Sequence, residues 1–214
     1  MSFSIGPRLL VLARHGQSEG NQQNIFTGWR DLPLTAQGED EARLAGARLR
    51  ELGVVFDAAF TSRLSRASAS CSLMLETMKQ GRTRVESDAA LNERDYGDLT
   101  GLNKDQARQQ FGVDQVHVWR RSYAVAPPKG ESLRDTIARV LPYYIRGVLP
   151  AVMRSGAVLV VAHGNSLRAL ILALEGLSPE AIPLVELGTA ELRFYRLGED
   201  TSATSEGTWS VPPR

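Results

Sequence analysis

Two stretches constrain the fold of this chain more than any others. Leu9-Leu10-Val11-Leu12-Ala13 and Val158-Leu159-Val160-Val161-Ala162 are apolar at every position. A strand with one face in water alternates polar and apolar residues. A strand buried on both faces does not, and such strands belong to parallel sheets covered by helices on both sides. Both runs also end alike: the first continues Arg14-His15-Gly16-Gln17-Ser18, the second His163-Gly164-Asn165-Ser166. Ligands of open parallel sheets bind just beyond the carboxyl ends of the strands. A histidine followed by a glycine therefore arrives twice where a site is expected. The chain has only three histidines, and two of them stand here.

The intervening sequence supplies helices. Thr35 is placed to cap a helix running to Leu52, with Ala42, Ala45, Leu49 and Leu52 as its inner stripe and Gly53 as its stop. Asp57 to Thr61 reads as a short strand and Leu64 to Lys79 as a helix. Leu133 to Met153 reads as helical, with Pro142 and Pro150 expected to kink or divide it. An apolar helix covers Leu167 to Leu174, and Glu191 to Leu197 reads as a last, edge-like strand. This alternation predicts an α/β protein with three α/β/α layers around a mostly parallel central sheet. No linker-like stretch divides the 214 residues, which predicts one domain over residues 1–197. Residues 198–214, rich in Ser, Thr, Gly and Pro, are expected to form a mobile tail.

Composition narrows the function. Twenty-five basic and 24 acidic residues leave a net charge of +1, which supplies no field for nucleic acid or an anionic membrane. The basic residues are 22 Arg and 3 Lys. Arginine grips carboxylate and phosphate with two parallel donors, so the bias suits small anionic ligands, although a GC-rich genome produces it too. A single cysteine, Cys71, allows neither an internal disulfide nor a multi-thiolate metal site. With no apolar run long enough for a signal peptide or a membrane span, a cytoplasmic protein is expected.

The paired histidines point to chemistry or to metal. A metal would need a third ligand, and Arg14 beside His15 is a poor neighbour for a divalent cation but a good one for an anionic substrate. No metal is expected. Gly16-Gln17-Ser18-Glu19-Gly20 matches the nucleophile elbow of serine hydrolases. That elbow needs a helix directly after the serine, and Asn21 to Trp29 reads instead as a polar loop with a glycine turn. The serine-hydrolase reading is therefore set aside.

Arg14-His15-Gly16 after a buried strand resembles the phosphohistidine motif of the histidine phosphatase superfamily. Further segments resemble, in order, the 2,3-bisphosphoglycerate-dependent phosphoglycerate mutases within it. They are Phe26-Thr27-Gly28-Trp29, Leu91-Asn92-Glu93-Arg94, Tyr96-Gly97, Leu99 to Lys104, Trp119-Arg120-Arg121 and Ala162 to Arg168. The similarity spans about Arg8 to Gly176. It implies a phosphoglycerate mutase-like fold and a phosphohistidine at His15, with Arg14, Arg66 and His163 around the transferring phosphate. Arg66 rather than nearby Arg63 matches the family register. Glu93 matches the proton donor and acceptor, for which a raised pKa is expected. Lys104, Arg120 and Arg121 match the cations that hold the substrate's distal groups, with Ser18, Asn21, Thr27, Gly28, Tyr96, Gly164 and Asn165 as polar or backbone contacts. His117 matches no catalytic position and is expected to be structural.

The resemblance further implies interconversion of 3-phosphoglycerate and 2-phosphoglycerate, primed by 2,3-bisphosphoglycerate without metal, in a homodimer or homotetramer. Several residues depart from the family. Ile25 stands where longer members carry an arginine, and Gln17 and Asp95 replace the commoner Glu and His. Pro127 to Leu133 joins directly what an insertion separates in longer members, and Thr189-Ala190 replaces Thr-Gly before a short tail. Insertion and tail help cover the site in those members, so their absence bears on water exclusion and hence on the ratio of mutase to phosphatase activity. The alternatives are a phosphatase on the same scaffold and a non-catalytic phospho-ligand binding module. Intact His15, Arg14, Arg66, Glu93 and His163 count against the last.

Overall fold

The two apolar runs are the central pair of a six-stranded sheet. In the computed structural model, which describes residues 6–154 and 156–212, β1 (Leu9–Arg14) and β4 (Ala157–Ala162) lie side by side and parallel, Leu9 opposite Ala157 through Arg14 opposite Ala162. Every residue of both runs is at most 1% exposed. Burial at that level is worth about 1.5–3 kcal/mol for each Leu or Val. Their side chains alternate between two cores. Leu10, Leu12, Val158 and Val160 face one; Leu9, Val11, Leu159 and Val161 face the other.

The remaining strands are β2 (Ala58–Thr61), β3 (Arg84–Ser87), β5 (Leu192–Leu197) and β6 (Ala203–Trp209). The order across the sheet is β3-β2-β4-β1-β5-β6. The first four run parallel, and β5 pairs antiparallel with both β1 and β6. Helices α2 (Ala36–Glu51) and α3 (Ser65–Thr77) cover one face through Ala42, Ala45, Leu49 and Met74. Helices α6 (Leu133–Tyr143) and α8 (Gly164–Glu175) cover the other through Ile137, Val140, Leu167 and Leu170. The chain leaves β1 toward one face and β4 toward the other. A crevice opens between their carboxyl ends, where such a sheet takes its ligand. The predicted three-layer α/β/α architecture is the one observed.

Several local expectations change. The reading of a mobile tail from Gly198 does not hold for Ala203–Trp209. These residues form β6, and Trp209 and Val211 pack on the α2–α3 core. The strand is legible only through its pairing with β5, because its polar residues form no apolar face. β5 is accordingly not the sheet edge. At the opposite edge, β3 is mostly exposed and charged, which hid it in the sequence. The helix is divided around Pro142 and Pro150, as expected. Between them the chain widens into a π-turn at Tyr144–Val148 before α7 (Leu149–Arg154), an accommodation suited to positions where prolines lack N–H donors. A one-turn helix, α1 (Glu19–Gln22), does follow Ser18, contrary to the expected loop. Ser18 is nevertheless no strained elbow: its φ of −96° and ψ of 164° are ordinary extended backbone, and its hydroxyl is spent on Asn21 as a helix cap. Two short helices not foreseen, α4 (Lys104–Phe111) and α5 (Val113–Arg121), pack with Phe26 and Leu99 as a small third cluster.

The turn after β1 meets the first turn of α2 backbone to backbone. A Cβ on Gly38 would sit 1.9 Å from the Gln17 carbonyl oxygen, and one on Gly16 would sit 2.0 Å from the Gly38 carbonyl oxygen. No side chain yields there, so one of the two segments would have to move. Gly38→Ala is expected to cost about 1–3 kcal/mol by overpacking, read as a lower denaturant midpoint at unchanged m-value.

Candidate active site

Equal register carries the two histidines to one place. His15 and His163 each follow a member of the Arg14–Ala162 pair, and their ring centroids lie 4.9 Å apart. The His15 amide donates to the Ala162 carbonyl at 3.0 Å, which continues the ladder into the site. His15 Nδ1 lies 2.6 Å from the Gly16 carbonyl oxygen. A carbonyl only accepts, so Nδ1 carries the proton and Nε2 keeps a lone pair. Burial, then His163, Arg14 and Arg66, hold the His15 pKa well below the ordinary imidazole value. His163 is fully buried, with Nε2 at 2.7 Å from Ser62 Oγ. Its pKa is likewise pushed well down, by burial first and then by Arg66, Arg14 and Arg139. Both rings are neutral at physiological pH.

A cavity of about 150 Å³ opens over this pair. His15 lines it together with Arg14, Arg66 and Glu93; Lys104, Arg120 and Arg121; and Ser18, Asn21, Thr27, Gly28, Tyr96, Gly164 and Asn165. His163 lies behind His15 rather than on the wall. Arg66, in the first turn of α3, is 1% exposed and donates to the carbonyls of Arg30 at 3.0 Å and Gly28 at 2.9 Å, which holds the Thr27–Arg30 turn in place. Arg63 points to solvent. Lys104 opens α4 and Arg120 and Arg121 close α5, where cations suit the carboxyl end of a helix. Burial first, then the charge of Arg120, lowers the proton affinity of Lys104, and burial with Arg121 and Arg108 lowers that of Arg120. That places them among groups that an incoming anion would stabilise.

Glu93 corrects one expectation. Burial pushes its carboxyl up, but the Arg94 amide, the Asn165 side chain and the charges of Arg66 and Arg94 outweigh burial, and the pKa is lowered. The ligand-free site therefore holds a carboxylate. Its Oε1 accepts from the Arg94 amide (2.7 Å), the Asn165 amide (3.2 Å) and Asn165 Nδ2 (2.9 Å). None of the hydrogen bonds among the described residues goes to Oε2, which is left to handle a proton.

Sequence reasoning missed the residues that hold this carboxylate in place. Arg139, on α6, donates to the carbonyls of Ala90, Asn92 and Glu93, pairs with Glu131 at 2.8 Å and lies over the Trp29 ring. Trp29 Nε1 donates to the Glu93 carbonyl at 2.6 Å, and Glu131 accepts from the Asp95 amide. The shortened Pro127–Gly130 connection closes against the same loop, Asp98 donating to the Pro128 carbonyl. Arg168, Glu186 and Leu187 also line the cavity. Arg168 stands in the quoted Asn165-Ser166-Leu167-Arg168 segment, but nothing in spacing separates it from an ordinary helix-face arginine. Among the described residues no three His, Cys, Asp or Glu side chains gather as a metal site would require, and no helix is long and apolar enough to cross a membrane.

Neutral paired histidines at the ends of in-register parallel strands, ringed by arginine, define a phosphohistidine-type α/β enzyme. The model of the histidine phosphatase superfamily (branch 1) matches residues 10–206, and the chain belongs to that superfamily. It is 60% identical over 199 residues to the 2,3-bisphosphoglycerate-dependent phosphoglycerate mutase of Afipia carboxidovorans, over 93% of this chain and 96% of that one. The protein of the same name from Azorhizobium caulinodans is also 60% identical over 199 residues, covering 93% and 97%. Among solved structures, a mycobacterial glucosyl-3-phosphoglycerate phosphatase with VO3 superposes with a TM-score of 0.82 at 26% identity, over 96% of this chain and 100% of that one.

Two outcomes are expected. In NMR, the Cε1–H resonances of His15 and His163 stay at their neutral positions between about pH 8 and pH 6, because a base whose pKa is depressed gains its proton only below that range. Arg139→Ala removes the clamp, takes the charge partner from Glu131 and the Arg139 donors from the Ala90 and Asn92 carbonyls, and lowers unfolding stability by about 2–3 kcal/mol, read by denaturant titration.

Proposed function

We propose that the protein is a 2,3-bisphosphoglycerate-dependent phosphoglycerate mutase, interconverting 3-phosphoglycerate and 2-phosphoglycerate through a phosphohistidine at His15. One observation carries this reading beyond the family match. The cavity has two sets of cations, Arg14 and Arg66 beside the histidines and Lys104, Arg120 and Arg121 on the same wall system. A phosphatase needs one anion pocket; a mutase must hold a substrate by a second anionic end while the first reacts. The named relatives at 60% identity support the same choice over the phosphatase, whose solved representative stands at 26%.

The residues fit the chemistry step by step. Nε2 of neutral His15 attacks a phosphorus of 2,3-bisphosphoglycerate; the P–O bond to carbon breaks as the N–P bond forms, and the departing oxygen takes a proton from Glu93. The five negative charges of the bound primer favour that protonated carboxyl, which is ionised in the empty site. In the second half-reaction the hydroxyl of the monophosphate attacks phosphohistidine, the N–P bond breaks, and Glu93, now a carboxylate, takes the hydroxyl proton. Charge spread over the three equatorial phosphoryl oxygens is met by Arg14 and Arg66, with Gly164 at the start of α8 beside them and His163 packed behind His15. Ser18, Asn21, Thr27, Gly28, Tyr96, Gly164 and Asn165 supply the polar walls.

The test is 2-phosphoglycerate formation from 3-phosphoglycerate in EDTA, with and without catalytic 2,3-bisphosphoglycerate, while phosphate release is recorded. Isomerisation that requires the primer, survives the chelator and falls at least ~10³-fold in His15→Ala is expected. Phosphate release without isomerisation would replace the mutase by the phosphatase reading.

A further inference from the structure

The segment from Pro183 to Leu187 runs along the mouth of the cavity, held there by arginines. Arg121 Nη1 donates to the Pro183 carbonyl at 3.2 Å, Arg168 Nε to that of Val185 at 2.8 Å, and Arg14 Nη1 to that of Leu187 at 2.6 Å. Arg193 Nη2 takes the Glu186 carbonyl at 2.8 Å. These bonds fix the backbone without any help from the Glu186 side chain. The Glu186 carboxylate is 71% exposed, yet it meets two cavity arginines, Oε1 to Arg121 Nη2 at 2.5 Å and Oε2 to Arg168 Nη2 at 3.6 Å. Glu93 is the other carboxylate on the cavity wall, and its occupied oxygen already serves Asn165 and Arg94.

We propose that Glu186 is a displaceable counter-ion of the site, which sets how tightly the cavity takes ligands with two anionic ends. The inference rests on the reading of Arg120 and Arg121 as partners of the substrate's distal anion. On that reading the distal carboxylate or phosphate comes to Arg121, where Glu186 already sits. Two anionic groups on one guanidinium nitrogen repel, so the ligand takes Arg121 only as Glu186 swings out toward solvent, a move its exposure permits. A ligand with a single phosphate fills the Arg14–Arg66 end and leaves Glu186 in place.

The arrangement has a physical rationale. Arg168 is largely buried, and burial followed by the neighbouring Arg121 lowers its pKa to about 10. Two close guanidinium groups without an anion repel each other, and Glu186 keeps them paired while the site is empty. As a ligand leaves, Glu186 takes Arg121 back. Release of a highly charged intermediate therefore does not leave bare cations behind. An exposed ion pair has a strength suited to this exchange, since a strong buried one would exclude the ligand.

Isothermal titration of 3-phosphoglycerate and of inorganic phosphate into wild type and Glu186→Gln at low salt tests the proposal. Glu186→Gln is expected to bind 3-phosphoglycerate about three- to fivefold more tightly, with inorganic phosphate changed less than about 1.5-fold. In an Arg121→Met background the same substitution is expected to lose most of its effect. Weaker or unchanged 3-phosphoglycerate binding in Glu186→Gln would overturn the proposal. Equal tightening of both ligands would do so too, because that outcome marks a general field at the mouth rather than displacement. These measurements need no turnover. A protein that failed the isomerisation assay but showed the selective tightening would refute the mutase reading and leave the counter-ion standing.

Discussion

The rest of this molecule depends on the in-phase parallel pairing of β1 and β4. Because Arg14 stands opposite Ala162, the next residue on each strand is a histidine, and the two rings meet at 4.9 Å. A shift of one residue would separate the rings and turn every side chain of one strand to the other core. The register is secured by burial on both faces, since Leu10, Leu12, Val158 and Val160 complete one core and Leu9, Val11, Leu159 and Val161 the other. The apolar energy that stabilises the sheet is thus the same energy that aligns the site.

Electrostatics at that point follow from what surrounds it. Burial first, and then the surrounding arginines, keep the two imidazoles neutral, which a nucleophile and a neutral hydrogen-bonding neighbour both require. Glu93 goes the other way: hydrogen bonds from the Arg94 amide and Asn165, then the charges of Arg66 and Arg94, hold it as a carboxylate despite burial. The empty site is thereby poised for anions. Glu93 is bound through one oxygen, and the mouth arginines are paired with Glu186 and with backbone carbonyls of the Pro183–Leu187 segment. That segment covers one side of the cavity, and the short Pro127–Gly130 connection packs directly on the Asp95–Asp98 loop.

Legibility in the sequence was uneven, for identifiable reasons. β1, β4 and α2 announced themselves because continuous apolar runs, an apolar stripe and a Thr35 cap are local signals. β3 and β6 are polar or exposed, and each becomes a strand only by bonding to a neighbour already in the sheet. The one-turn helix after Ser18 depends on a cap by a side chain three residues from its partner, too short to show a period. Arg139, Glu131 and Trp29 hold the Glu93 loop from α6 and from the turn before α2, at separations of 38 to 64 residues from Glu93. Nothing about an arginine about two turns into an amphipathic helix distinguishes it from one facing solvent.

By itself the sequence determined the layered α/β class, the two histidines at the strand ends and, through its motifs, the family. These follow from patterns within a few residues of each other, where hydrophobic period and glycine turns act directly. Only the tertiary structure decided which arginines face the cavity and which solvent, that Glu93 rests ionised rather than protonated, and that Glu186 occupies the mouth arginines. Those outcomes depend on fields and donors contributed by residues distant in the chain, and a pKa or a charge pairing belongs to the surroundings rather than to the residue.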